Sequence, residues 1–166
     1  MLGTYDNFPT NIHKTTTFST LISTKKLQQT LTETLNKTNN EKFTLEQITN
    51  PSQPQCTAIF EYGIAESNNF NYLDNEETKK VLTIIRKKPF QTMDFYCSIR
   101  YYKEKEGKTM PLKFDYYMIR FIFNKNLMET RVFHERGNRY VSPEDVTEFI
   151  VKKISSEFSR KALKEI

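Results

Sequence analysis

Tryptophan is absent from this chain, and glycine occurs only four times, as Gly3, Gly63, Gly107 and Gly137. Glycines so far apart assemble neither a Walker loop nor a Rossmann fingerprint, because both need several within one turn to bring backbone against phosphate. Cysteine and histidine are equally scarce, with two of each. Cys56 and Cys97 lack the Cys or His companions that a zinc site requires, so no metal and no cofactor is expected. Residues 1–11 contain no basic segment followed by an apolar one, and no apolar stretch approaches the roughly 18 residues that span a bilayer. The expectation is a cytoplasmic protein with no membrane partner and two reduced thiols packed as small hydrophobes.

What is present is aromatic and charged. Phenylalanine and tyrosine supply all of the 13% aromatic content within a 37% hydrophobic fraction, and such rings bury much area each. The 166 residues are enough for one well-filled core, so a single domain over 1–166 is expected, with 1–11 as an irregular N-terminal arm. The net charge of +5 is unevenly spread. Residues 1–72 carry five Lys/Arg and six Asp/Glu, whereas residues 73–166 carry twenty and fourteen. An excess of positive charge in one half steers association with acidic or phosphate-bearing partners.

Local patterns place the elements. A Thr-rich run over 13–22 suits a strand. Ser23 caps a helix whose stripe is Leu27, Leu31 and Leu35, with Ile22 as a staple, and Thr44 and Gln47 have capping-box spacing. Asn50-Pro51-Ser52-Gln53-Pro54 is a breaker cluster read as a loop, and 56–65 alternates as a strand. Asp74 caps a second helix with Glu76 and Glu77 at its positive end, Arg86, Lys87 and Lys88 at its negative end, and Pro89 as its stop. From Thr92 the period is two, with Met93, Phe95, Cys97, Ile99 and Tyr101 on one side of a strand. A charged loop over 103–110 precedes a second long strand over 112–123. Arg139-Tyr140-Val141 is a candidate edge segment. Ser142-Pro143-Glu144-Asp145 then opens an amphipathic helix with stripe Val146, Phe149, Ile150, Ile154 and Phe158.

The fold class that follows is α+β. An antiparallel sheet, built from a meander of three C-terminal strands plus one or two N-terminal strands, packs with helices and is closed by the C-terminal amphipathic helix. For the hairpin around Asn124-Lys125-Asn126, a three-residue loop with Asn126 left-handed predicts Ile122 opposite Met128, Arg120 opposite Thr130 and Met118 opposite Val132. Phe121 then lies opposite Glu129, Ile119 opposite Arg131, and Tyr117 opposite Phe133.

Three functions fit these residues. The first is a non-catalytic module that contacts nucleic acid or another polyanion, or acts in a nucleic-acid-processing assembly. Its contacts are Arg100, Arg120, Arg131, His134, Arg136 and Arg139, with Tyr96 and Tyr102 as stacking groups. Cations neutralise phosphates and rings stack on bases, which is the chemistry of single-strand binding. The second is a homo-oligomeric scaffold or adaptor, a homodimer joined through an outer sheet face holding Tyr117, Ile119, Phe121 and Phe133. The third is a small enzyme centred on Arg120 and His134, with Asp94 or Asp115 orienting the imidazole, which requires both side chains to converge in one pocket.

Overall fold

The computed structural model describes residues 3–49, 56–159 and 161–166. The breaker cluster at 50–54 lies outside them. Nine strands form one antiparallel sheet: β1 (Gly3–Thr4), β2 (Lys14–Ser19), β3 (Lys42–Thr44), β4 (Cys56–Glu66), β5 (Asn69–Tyr72), β6 (Thr92–Lys105), β7 (Lys108–Asn124), β8 (Leu127–Gly137) and β9 (Lys164–Glu165). Their order is β1-β5-β4-β6-β7-β8-β2-β9, with β3 beside β4. The described residues also form three α-helices, α1 (Thr24–Thr38), α2 (Asn75–Lys87) and α3 (Pro143–Ser155). The α+β class, the antiparallel meander and the closing helix all follow the sequence patterns. No helix among the described residues is long and apolar enough to cross a membrane.

The helix ends form where side chains satisfy the first free amides. The Ser23, Asp74 and Ser142 side chains accept hydrogen bonds from the amides of Lys26, Glu77 and Asp145 at 3.2, 2.8 and 3.1 Å. Gln47 reaches back to the Thr44 amide at 2.8 Å, around the single helical turn at Leu45–Gln47. After α2, the buried Gln28 side chain of α1 donates to the Phe90 carbonyl and accepts from its amide, fixing the return into β6.

All three helices cover one face of the sheet. Leu27, Leu31 and Leu35 of α1, Val81 and Ile85 of α2, and Val146, Phe149, Ile150 and Ile154 of α3 join the inward rows of β4, β6, β7 and β8 in one core. Phe149 stacks on Phe60 at 4.8 Å and meets Phe43 edge-on at 5.0 Å. Cys56 and Cys97 are both buried and unbridged. They sit opposite Lys103 and Tyr62 respectively, too far apart along the sheet to join.

Four local expectations are corrected. The hairpin loop between β7 and β8 has two residues, Lys125 and Asn126, since Asn124 already pairs with Leu127. Asn126 is left-handed as expected, but every pair moves by one: Phe123 faces Met128, Phe121 faces Thr130, Ile119 faces Val132 and Tyr117 faces His134. The expected register would have carried Glu129 and Arg131 into the core beside Phe121 and Ile119. The observed one matches apolar side chains with Met128 and Val132 and turns both charges outward. Second, 103–110 is not a loose loop, because β6 and β7 continue to a tight turn at Glu106 and Gly107, both with positive φ. Third, Arg139-Tyr140-Val141 forms no strand. Fourth, the arm is partly ordered as sheet, since Gly3–Thr4 pairs with β5.

Truncating the ring that joins α3 to the sheet, Phe149→Ala, is expected to lower stability by about 3–5 kcal/mol. Urea unfolding monitored by circular dichroism measures this, and an unchanged midpoint would show that α3 does not seal the core through Phe149.

Candidate functional site

The helix-free face of the sheet carries the outward residues of β4, β6, β7 and β8 in rows set by the register. Ile59, Arg100 and Phe114 form one row. Glu61, Ser98, Tyr116 and Arg136 form the next, and Gly63, Tyr96, Met118 and Phe133 the one after. Asp94, Arg120 and Arg131 follow. A bulge in β8 after His134 makes Arg136, not Glu135, the partner of Tyr116. Without that extra residue, a carboxylate would occupy the place of the guanidinium.

Two of the expected cations are already neutralised. Asp94 receives Arg120 in a two-point ion pair, Nε at 2.8 Å and Nη2 at 2.9 Å, and this pairing raises the Arg120 pKa. Arg131 donates to Glu129 at 2.6 Å. Arg100 and Arg136 form no ion pair among the described residues. The Arg100 Nε is buried without a partner. The Arg136 guanidinium lies over the Tyr116 ring at 4.3 Å. Phe114, 43% exposed, stacks beside Tyr116 at 6.0 Å. Tyr102 is half-buried near Arg100 on the same face. Tyr96 is buried between Phe70 and Tyr116, so its ring offers no open stacking face, and burial raises the pKa of its hydroxyl. Arg139 is exposed with positive φ in the turn after β8.

The arm crosses the far end of this face. Tyr5 donates its hydroxyl to Asp94, packs edge-on against Phe70 at 4.8 Å, and receives a 3.5 Å hydrogen bond from Arg120. Phe8 sits over the Arg120 guanidinium at 4.7 Å. Burial, followed by the Asp94 carboxylate, pushes the Tyr5 hydroxyl up to about 12.

His134 and Arg120 do not converge. Arg120 is on the outer face, whereas His134 pairs with Tyr117 on the helix side and its Nε2 donates to Asp115 at 2.8 Å. Of the two carboxylates considered as its partner, Asp115 takes the role and Asp94 holds Arg120 instead. Asp115 is fully buried and also accepts from the Tyr101 hydroxyl at 2.7 Å and the Arg139 and Tyr140 amides at 2.6 and 2.8 Å. With four donors aimed at it, the carboxylate is a structural anchor with no capacity left for a substrate. The face expected to join two copies is likewise the core face: Tyr117, Ile119 and Phe121 lie under the helices, and Phe133 is on the opposite side, stacked on His13 at 4.8 Å. Burial and the nearby Arg139 lower the His13 pKa.

No group of three or more His, Cys, Asp or Glu among the described residues is placed to hold a metal. A groove of about 370 Å³ between β2 and α3 is lined by Lys14, Lys152 and Lys161, but also by Glu144, Glu148 and Glu165, so its charges cancel. Phe114, Tyr116, Tyr5, Phe8 and the carboxylate partners of Arg120 and Arg131 are the site features that sequence reasoning missed. A bulky Tyr-x-x-Phe spacing inside an otherwise polar, irregular segment was the available signal for the arm.

Replacing the buried carboxylate, Asp115→Ala, strands four donors and is expected to cost roughly 3–5 kcal/mol in urea unfolding. A loss below about 1 kcal/mol would contradict its anchoring role. Tyr5 generates a pH prediction. Its proton is held more tightly when the arm is docked, so the contact is at full strength below the ordinary tyrosine value near 10 and weakens as pH rises through about 12. The phenolate absorbance lost on Tyr5→Phe should titrate in that upper range, and a midpoint near 10 would mean an undocked ring. No protein-family model, curated protein or solved structure matches the chain.

Proposed function

We propose that this protein is a non-catalytic binding module that receives single-stranded nucleic acid, or a similar polyanion, on the outer sheet face. Its contacts are Arg100, Tyr102, Phe114, Tyr116 and Arg136. The observation that carries this reading is the pair of guanidiniums without carboxylate partners, Arg100 and Arg136, flanking the exposed Phe114 ring and the Tyr116 ring on one helix-free surface. Guanidiniums bind phosphate in a fork, and the exposed Phe114 ring offers a π-face to a base without reading its edges. The half-buried Glu61 in the same row tempers the positive charge, which favours moderate affinity over a deep electrostatic trap. Arg139 is close enough in sequence to extend the strip from the turn. The other expected contacts contribute less, because Arg120 and Arg131 are paired, Tyr96 is covered and His134 faces the helices. A reducing compartment such as the cytoplasm fits two unbridged, buried thiols.

Fluorescence anisotropy with labelled single-stranded oligonucleotides tests the reading. Two or three phosphate contacts give a log–log salt slope of about −1.4 to −2.1. Arg100→Glu combined with Arg136→Glu is expected to lower affinity at least tenfold, whereas Arg131→Glu has a smaller effect because its charge is already paired. Absence of binding at low salt, or equal loss at all three positions, would sink the proposal.

A further inference from the structure

The segment that crosses the outer face makes a different kind of contact from the rest of the chain. It adds to the edge of β5 as a strand: Gly3 pairs with Phe70, Thr4 pairs with Asn69, and the Tyr5 amide donates to the Asn68 carbonyl at 2.7 Å. Two side chains at Tyr-x-x-Phe spacing then fill prepared places. Tyr5 inserts beside Phe70 with its hydroxyl on Asp94, and Phe8 covers Arg120. Main-chain pairing supplies affinity and the two side-chain seats supply selectivity, which is how sheet edges recognise extended peptides.

We propose that this seat is a strand-receptor site whose second occupant is the same segment from another copy of the chain, so that two copies exchange arms. The acceptor elements, β5, Asp94 and Arg120, are in place independently of the arm: Asp94 and Arg120 are held to each other at 2.8 and 2.9 Å. The main core contains no residue from 3–13, and Tyr5 belongs instead to a small separate cluster with Phe70 and Tyr96. Undocking the arm therefore leaves the helix-covered core closed. Between the Tyr5 amide and the His13 amide, the backbone makes no hydrogen bond to other backbone among the described residues, and Asp6, Asn7, Thr10 and Asn11 are exposed. Pro9 stiffens that connection by fixing its own φ and restricting Phe8. Lifting the arm breaks no backbone hydrogen bond along this connector, and exchange reproduces every docked contact between copies. Residues 9–13 reach up to about 17 Å when extended, enough to separate the arm from β2.

The cross-strand pair Thr4 and Asn69 gives a direct test in the full chain. Directly opposed residues of an antiparallel ladder have Cα atoms about 4.5–5.5 Å apart, within the range a disulfide bridges. The native thiols are buried and do not compete. Chains carrying Thr4→Cys are mixed with chains carrying Asn69→Cys at high micromolar concentration and oxidised mildly. Exchange predicts a covalent dimer in the mixture that increases with concentration, exceeds the dimer formed by either variant alone, and disappears when Tyr5→Ala and Phe8→Ala are added to the first chain. The idea is overturned if the mixture forms no more dimer than the separate variants, whether or not the Thr4→Cys, Asn69→Cys double variant closes within one molecule. This outcome is independent of oligonucleotide binding, since none is added.

Discussion

A fully buried carboxylate, Asp115, sets the geometry at the end of the sheet from which the rest is positioned. A charge without solvent is tolerable only when hydrogen bonds replace its hydration, and Asp115 obtains four, from β6, β8 and the turn that follows. That requirement holds the Arg139 and Tyr140 amides inward. Gly137 is part of the same arrangement: its φ is +118°, and an added Cβ would stand 2.2 Å from the Phe114 carbonyl oxygen and 2.4 Å from Asp115 Oδ1. Only glycine fits there. Two residues further along β7, Tyr117 donates its hydroxyl to the Val141 carbonyl, immediately before the Ser142 cap of α3. The entry of the closing helix is thus fixed by two side chains of β7.

This anchor also separates the two faces. It takes His134 and Tyr101 to the helix side, and the adjoining bulge in β8 delivers Arg136 to the other. The outer face consequently has two unlike ends. Near the arm, charge is consumed internally by Asp94 and Arg120 and covered by Tyr5 and Phe8. Toward the β6–β7 hairpin, Arg100 and Arg136 stand beside aromatic rings without acidic partners. The hairpin projects past β8, whose pairing ends at Gly137 opposite Asp115, and Met110 on its tip is 49% exposed. Pro111 and the lysines at 108 and 113 on this open edge discourage another strand from pairing there. The arm seat on β5 lacks such protection and is filled by the chain itself.

Legibility from sequence followed the range of the interactions involved. The caps at Ser23, Asp74 and Ser142 and the stripes of Leu27 to Leu35 and Val146 to Ile154 depend on neighbours within a few turns, and they were readable. The β7–β8 register was not, because Asn124-Lys125-Asn126 is compatible with loops of two or three residues. The choice was made by keeping Glu129 and Arg131 out of the core, a comparison that needs the helix layer to define which face is inside. Site electrostatics failed for the same reason. Arg120 was named as a polyanion contact, but its partner Asp94 is 26 positions away and becomes adjacent only once β6 and β7 are aligned. Asp115 was visible as an acid near His134, though not as an acceptor for the later turn, since that role is created by the path of 137–140. The seat for Tyr5 and Phe8 joins residues about 65 to more than 100 positions apart, beyond any local pattern.

On the proposed function the two faces differ in role, the helix-covered one structural and the open one receptive at its hairpin end. Backbone amide chemical shifts recorded during addition of a single-stranded oligonucleotide test it most directly. The largest changes are expected at Arg100, Tyr102, Phe114, Tyr116 and Arg136, with Thr130, Val132 and the α3 residues Phe149 and Ile150 unmoved. Changes centred on the β2–α3 groove at Lys14 and Lys152, or no saturable change at any residue, would contradict it.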